Sequence, residues 1–217
     1  MDTSTLVLLG HNGAGKSTLI RHFLGYYRRE SDHPFLKTWR DIQPLDRRNL
    51  GFVPELPWLD AQLTGREQFQ LMAGLKSCRI SRDEIAHLTQ RVGLDTGALD
   101  YPLSHYSKGM KQRLLIALAL INDPTVLLLD EPLSGLDPFG HEQVMSLLLT
   151  LKADKHLIVS THQLDDAWKL ADQIWVLQNG LLVFQGPRPE SADALSQLYF
   201  RYPPHGTDSV HRNAPLC

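Results

Sequence analysis

Apolar and polar positions along this chain follow two periods, and the places where one gives way to the other mark its elements. Thr5-Leu6-Val7-Leu8-Leu9 is a short buried-strand run that ends in glycine at Gly10, and Ser17 to Leu24 carries apolar residues at helical spacing. Leu50 to Val53 reads as a strand stopped by Pro54. Helical patterns follow over Glu67 to Leu75 and Ser81 to Val92, with Ser81 as N-cap, and over Ser107 to Ile121, closed by Asn122-Asp123-Pro124. Thr125 to Leu129 is uninterrupted apolar sequence, as in a strand covered on both faces of a parallel sheet. Pro138 to Leu151 predicts a helix with Asp137 as cap and proline at its first position. A strand at Leu157 to Ser160 and a helix at Gln163 to Leu170 come next. Ile174 to Leu177 and Leu181 to Phe184 flank Gln178-Asn179-Gly180, a hairpin signal. Residues 28 to 49 are irregular and polar, with room for a strand at Phe35 to Trp39.

Strands alternating with helices predict an α/β fold, a parallel sheet flanked by helices. The helical block at about residues 60 to 105 is expected to form a small subdomain of a single domain spanning residues 1 to 202. Residues 203 to 217 lack periodicity and are expected to be a mobile tail. There are no internal repeats.

The junction between the first strand and first helix carries the chemistry. Gly10-His11-Asn12-Gly13-Ala14-Gly15-Lys16-Ser17-Thr18 is a complete phosphate-binding loop in the required strand-to-helix context. Glycines let backbone N–H groups approach phosphate oxygens, and the helix N-terminus favours anions. Lys16 would reach the β- and γ-phosphates of a nucleoside triphosphate, and the Ser17 hydroxyl would ligate Mg²⁺. The Thr125–Leu129 strand runs into Asp130-Glu131-Pro132. Asp130 stands where phosphate-loop enzymes hold Mg²⁺, and Glu131 is placed to act as general base toward an attacking water. Ser107 and Gly109 open a helix whose N–H groups could form a second anion site. His162, after a strand, could donate to a γ-phosphate oxygen.

Charge and cysteine usage narrow the partners. With 22 Lys and Arg against 24 Asp and Glu, the formal net charge is −2, and no nucleic acid is expected as main partner. The local basic cluster (Arg28, Arg29, Lys37, Arg40, Arg47, Arg48) is interleaved with acidic residues and reads as solvated surface. Two cysteines, Cys78 and Cys217, build no disulfide framework. No apolar run approaches the length of a membrane span, and the N-terminus lacks the basic start of a secretory signal.

Taken together, these segments resemble the ATP-binding subunit of an ABC transporter, over roughly residues 4 to 188. Tyr106-Ser107-Lys108-Gly109-Met110 resembles the family signature in a variant found among ABC-2-type exporters. Ser134-Gly135-Leu136-Asp137 resembles the loop after the Walker B strand, and Ser160-Thr161-His162 the switch-histidine loop. The hairpin ending Phe184-Gln185-Gly186 fits the family's C-terminal edge. Glu55, in Phe52-Val53-Pro54-Glu55, stands where the family usually has glutamine and would contact Mg²⁺ or its water. The family's N-terminal β segment, with its adenine-stacking aromatic, has no counterpart in the nine residues before Gly10. The expected fold is therefore an ABC ATPase without that segment.

The resemblance implies the cofactors ATP and Mg²⁺ and a head-to-tail pair of ATPase subunits, two copies of this chain or this chain with a paralogue. Lys16 and Glu131 of one would then face Ser107 and Gly109 of the other. It also implies an integral membrane partner on a separate chain, reached through the segment after Val53, and a location on the cytoplasmic face of the cell membrane. Two other functions compete: a soluble ABC-type ATPase acting on ribosomes or DNA, and a truncated cassette serving as an interaction module.

Overall fold

In the computed structural model the described residues are 4–27, 45–46, 49–56 and 59–203. The basic cluster, the strand option at 35–39 and the tail beyond 203 lie outside them.

Chain order is β1 (Thr5–Leu9), α1 (Lys16–Phe23), β2 (Leu50–Val53), α2 (Gly65–Leu75), α3 (Arg82–Arg91), 3₁₀ turns at Thr96–Asp100 and Leu103–His105, and α4 (Lys108–Ala119). Then come β3 (Val126–Asp130), α5 (Pro138–Leu151), β4 (His156–Thr161), α6 (Leu164–Leu170), β5 (Gln173–Gln178), β6 (Leu181–Pro187) and α7 (Ala192–Phe200). The strands form one six-stranded sheet in the order β2-β3-β4-β1-β5-β6. All neighbours are parallel except β5 and β6, the hairpin pair.

Strand alternation divides the core between the two faces of this sheet. Val7, Leu9, Leu127, Leu129, Leu157 and Val159 share one apolar cluster with Leu114, Ile116, Val144, Leu148, Ala167 and Leu170 of α4, α5 and α6. Leu8, Leu128 and Leu177 belong to the other, with Leu19, Ile20 and Phe23 of α1. These side chains are buried, each contributing about 1.5–3 kcal/mol for a large aliphatic group. Parallel strands put their carboxyl ends on one edge, so β1, β3 and β4 deliver Gly10, Glu131 and His162 side by side. The register settles this: Leu9 pairs with Thr161, and Asp130 with Ser160.

The helices end where the sequence chemistry dictates. Thr64 and Ser81 each make a reciprocal capping box, with Glu67 and Glu84 respectively, at 2.8–3.2 Å. At the other end of α4, Lys76 Nζ donates to the carbonyls of Leu118, Ala119 and Ile121 at 3.1–3.5 Å, satisfying groups a helix terminus leaves open. Burial pushes the Lys76 pKa down. The observed bounds fall within two residues of the expected ones except in β6, which runs three residues further, to Pro187; Ser107 and Gln163 act as caps instead of first-turn residues, and Asp137 is the cap expected. Helix α7 and the 3₁₀ turns are additions to the sequence reading. In α7, Leu195 is fully buried and Leu198 and Tyr199 pack on the α6 side of the core, behind a Ser191 cap.

Ser81→Ala is expected to destabilise the protein by about 1 kcal/mol in urea titrations at neutral pH, through loss of the α3 cap. The hydrogen bonds from the Ser81 backbone and side chain hold the Glu84 pKa below its ordinary value. Stabilisation from that contact is therefore complete above the unfolded glutamate's titration and disappears as pH falls through the lower folded value. The backbone bond, the larger cause of the shift, survives in Ser81→Ala, so the gap between the two proteins should narrow only slightly as pH falls below the glutamate range.

Candidate functional site

The loop from Gly10 to Lys16 wraps the end of β1 because its backbone can go where side chains cannot. A Cβ on Gly10 would stand 2.5 Å from the Leu177 carbonyl oxygen of neighbouring β5, so no larger residue fits that approach. Gly15, at φ 105°, turns the chain into α1 from a region L side chains rarely adopt. The Gly10 N–H donates to the Thr161 carbonyl at 3.2 Å, and the Ala14 carbonyl accepts from Gly180 N–H at 2.9 Å. The loop is thus held from β4 on one side and from the β5–β6 turn on the other.

Lys16 opens α1 with its ammonium folded back over the loop. Its Nζ donates to the carbonyls of Gly10 (2.7 Å) and His11 (3.2 Å) and lies 3.0 Å from Glu131 Oε1. Both ionic side chains are buried, at 5% and 7% exposure. Among the described residues Oε1 nevertheless accepts no aligned hydrogen bond: the ammonium's directed bonds go to the two carbonyls, and the ion pair is a charge contact across a short gap. The other carboxylate oxygen, Oε2, is 2.9 Å from His162 Nδ1, and the His162 Nε2 is 3.1 Å from the Gln163 side-chain amide. Lys16, Glu131 and His162, from three separate elements, therefore meet around one carboxylate.

Asn12, Gly13, Gly15, Lys16, Ser17, Thr18, Glu55 and Glu131 line one cleft of about 310 Å³. Gly10 and Ala14 do not line it: Ala14 is buried, and both are tied by backbone hydrogen bonds to the neighbouring strands and turn. Ser17, Glu55 and Asp130 border an adjoining cleft, also of about 310 Å³, with Arg21 and Tyr26. Among the described residues no group of three or more His, Cys, Asp or Glu could enclose a metal. Two carboxylates and a hydroxyl facing a phosphate-loop cleft suit Mg²⁺, which keeps waters and takes one or two carboxylates plus substrate phosphates. The donor set fits that ion.

Ser107 and Gly109 are not among the residues lining either cleft. Ser107 caps α4, its hydroxyl accepting from Met110 N–H at 3.1 Å. A Cβ on Gly109 would lie 3.5 Å from the Cα of Gly140, beside the start of α5.

Ser160 was missed as a functional residue. Its hydroxyl donates to Asp130 Oδ1 at 2.6 Å and accepts from the Glu131 N–H at 2.8 Å. One side chain thus orients both acidic residues at the end of β3, and it fixes Glu131 in a left-handed conformation, φ 49°. For a residue other than glycine this conformation costs of order 1–3 kcal/mol and is held by its surroundings. The only hint in sequence was a polar residue closing an apolar strand, and its meaning depended on β4 lying beside β3.

Comparison with known proteins agrees with this geometry. The family model described as ABC transporter matches residues 2–134. An uncharacterized ABC transporter ATP-binding protein of Nostoc sp. is 40% identical over 86% of this chain. This chain belongs to the ABC transporter family and carries its ATP-binding cassette. The Nod factor export ATP-binding protein I of Sinorhizobium fredii is 36% identical over 85% of the chain. The chain spans 57% of the Nostoc protein and 54% of the Nod factor protein, a little over half of each. A solved ATP-binding subunit of an ABC transporter superposes with TM-score 0.67 at 29% identity, covering 91% of this chain and 88% of that one. The fold is shared too with an ATP-binding cassette solved as a dimer with ADP and phosphate, at TM-score 0.68 and 23% identity over 88% of each chain. The α/β phosphate-loop architecture expected from sequence is the one this cassette has. No helix among its described residues is long and apolar enough to cross a membrane.

Ser160→Ala should destabilise the cassette by about 1–3 kcal/mol in denaturant titrations, because it removes a donor from a buried carboxylate. A loss under about 0.5 kcal/mol, the range of ordinary surface substitutions, would show that Asp130 does not depend on this hydroxyl.

Proposed function

We propose that this cassette binds and hydrolyses ATP to power an ABC transporter, and that the transporter is an exporter of the ABC-2 type. The observation that carries the reading is the meeting of Lys16 and His162 on the Glu131 carboxylate, which lines the phosphate-loop cleft with Lys16 and borders the neighbouring cleft with His162. There a γ-phosphate would lie against the ammonium, the carboxylate would take the proton of an attacking water, and the imidazole would contact the phosphate. The backbone N–H groups of Asn12 to Thr18 would cradle the phosphate chain at the α1 N-terminus. Ser17, Asp130 and Glu55 would hold Mg²⁺, which supplies charge stabilisation at the β- and γ-oxygens. Ser160 keeps Asp130 turned toward that position, and Lys16 leaves Glu131 to bind phosphate.

Ser107 and Gly109, distant from the cleft of their own copy, would close the site of a second copy or of a paralogue. The dimeric cassette solved with ADP and phosphate supports this pairing by fold. Residues 59–105 would form the helical subdomain. Leu56, just after β2, and Leu71 and Leu75, one turn apart on α2, are exposed and would offer an integral membrane subunit apolar side chains to dock on. The cassette would thus sit peripherally on the cytoplasmic face of the cell membrane. Similarity to the Nod factor export protein and a glutamate at position 55 support the exporter assignment.

Glu131→Gln is expected to reduce steady-state ATPase turnover at least about a hundredfold while ATP binding persists, the signature of a lost general base. Lys16→Ala should instead lose ATP affinity, read by equilibrium binding. Wild-type turnover in Glu131→Gln would remove Glu131 from the base role. Intact nucleotide binding without turnover in the wild type would favour an interaction module.

A further inference from the structure

A third cleft of about 380 Å³ lies on the other side of Glu131, and its walls hold a histidine and a buried aspartate that the reaction described above does not use. Asp166, in the first turn of α6, is 4% exposed. Its two carboxylate oxygens lie 3.1 and 3.2 Å from Nε2 of His141, in the first turn of α5. A carboxylate withdrawn from water requires a partner, and His141 is the one hydrogen-bonding partner found for this side chain among the described residues.

The two helices follow the two loops that bear on Glu131. The Ser134 N–H donates to the Glu131 carbonyl at 3.1 Å, and three residues later Asp137 caps α5 through the N–H groups of Phe139 (3.1 Å) and Gly140 (2.9 Å). The His141 N–H donates to the Asp137 carbonyl at 2.8 Å. On the opposite side, His162 holds Glu131 Oε2 and leads through Gln163 into α6. Starting at Glu131, the path runs through the 134–137 loop, α5, His141, Asp166, α6 and His162, and returns to the Glu131 carboxylate. Among the described residues the pair is the one side-chain-to-side-chain hydrogen bond found between the two helices, beside their apolar packing through Val144, Leu148, Ala167 and Leu170. Glu131, Ser134, His141, His162 and Asp166 all border the same cleft.

We infer that His141, through Asp166, is a positioning residue for catalysis: it sets the spacing of the 134–137 loop from His162 and so fixes the Glu131 carboxylate. The inference rests on Glu131 and His162 having the roles proposed above. His141 touches neither phosphate-loop cleft, so its loss should leave nucleotide affinity alone and affect the chemical step.

The test compares wild type, His141→Leu, His141→Arg and Asp166→Asn as full chains, measuring steady-state ATPase activity and equilibrium binding of a non-hydrolysable ATP analogue. His141→Leu and Asp166→Asn should each lower kcat about tenfold with analogue affinity within about twofold of wild type, the pattern of an interaction acting on the transition state alone. Arginine can donate to both oxygens of the buried carboxylate, so His141→Arg should recover kcat to within about threefold of wild type. Asp166→Asn preserves side-chain shape and decides the matter if His141→Leu fails to fold. Wild-type kcat in the folded leucine or asparagine variants, a parallel loss of analogue affinity, or no recovery with arginine would each overturn the positioning role. Glu131→Gln, assayed alongside, separates the two failures. If it turns over normally, the reading of the site is wrong; if it is inactive while His141→Leu is normal, only the tie between the helices is wrong.

Discussion

The buried contact between Lys16 and Glu131 is the constraint around which this cassette is arranged. Two opposite charges removed from water carry a desolvation cost that their mutual attraction offsets only in good geometry, and removing one partner of such a pair typically costs about 3–5 kcal/mol. Here the geometry is deliberately incomplete. The ammonium spends its directed hydrogen bonds on the Gly10 and His11 carbonyls, and Glu131 Oε1 is left with proximity alone. A phosphate group brings more negative charge than a carboxylate and more oxygens to receive the ammonium's protons. On the proposed reading, the pair organises the cleft and yields to substrate.

Each neighbouring feature serves to keep those two side chains facing each other. Parallel pairing of β1, β3 and β4 brings the phosphate loop, the acidic strand end and His162 to one edge. The core on both faces of the sheet pins the register at that edge, since a slip of one residue in β1 would exchange Val7 and Leu9 for Leu8 across the sheet. Ser160 then uses one hydroxyl to aim Asp130 and hold the Glu131 backbone in its left-handed turn. The structure thus assigns backbone strain to the residue whose carboxylate is proposed to accept a proton, where strain serves orientation.

Much of this was legible in the residues because phosphate binding uses local chemistry. A glycine loop between a strand and a helix, an acidic pair closing a buried strand, and capped helices all depend on neighbours in sequence, and each appears where the pattern placed it. The fold class followed from the alternation of strand and helix periods, and the family from motifs at suitable spacing. Contacts between distant segments were illegible. Ser160 looked like any strand-end serine until β4 paired with β3, and His141 and Asp166 were ordinary polar positions on two amphipathic helices until those helices packed together. Helix α7 was passed over because Leu195, Leu198 and Tyr199 follow the polar stretch Arg188-Pro189-Glu190-Ser191, and only docking against α6 gives their spacing a partner. The family resemblance already sets Ser107 and Gly109 against the phosphate loop of a second subunit, and within one copy they line neither cleft.

The central claim is that Glu131 occupies Lys16 until a γ-phosphate displaces it. The most direct measurement is the affinity of wild type and Glu131→Gln for a non-hydrolysable ATP analogue and for ADP, by equilibrium titration with Mg²⁺ held constant. Removing the carboxylate's charge frees the ammonium, so the account predicts tighter binding of the analogue by Glu131→Gln and little change for ADP, which lacks the competing group. Equal or weaker analogue binding by the variant, or the same gain for both nucleotides, would contradict it.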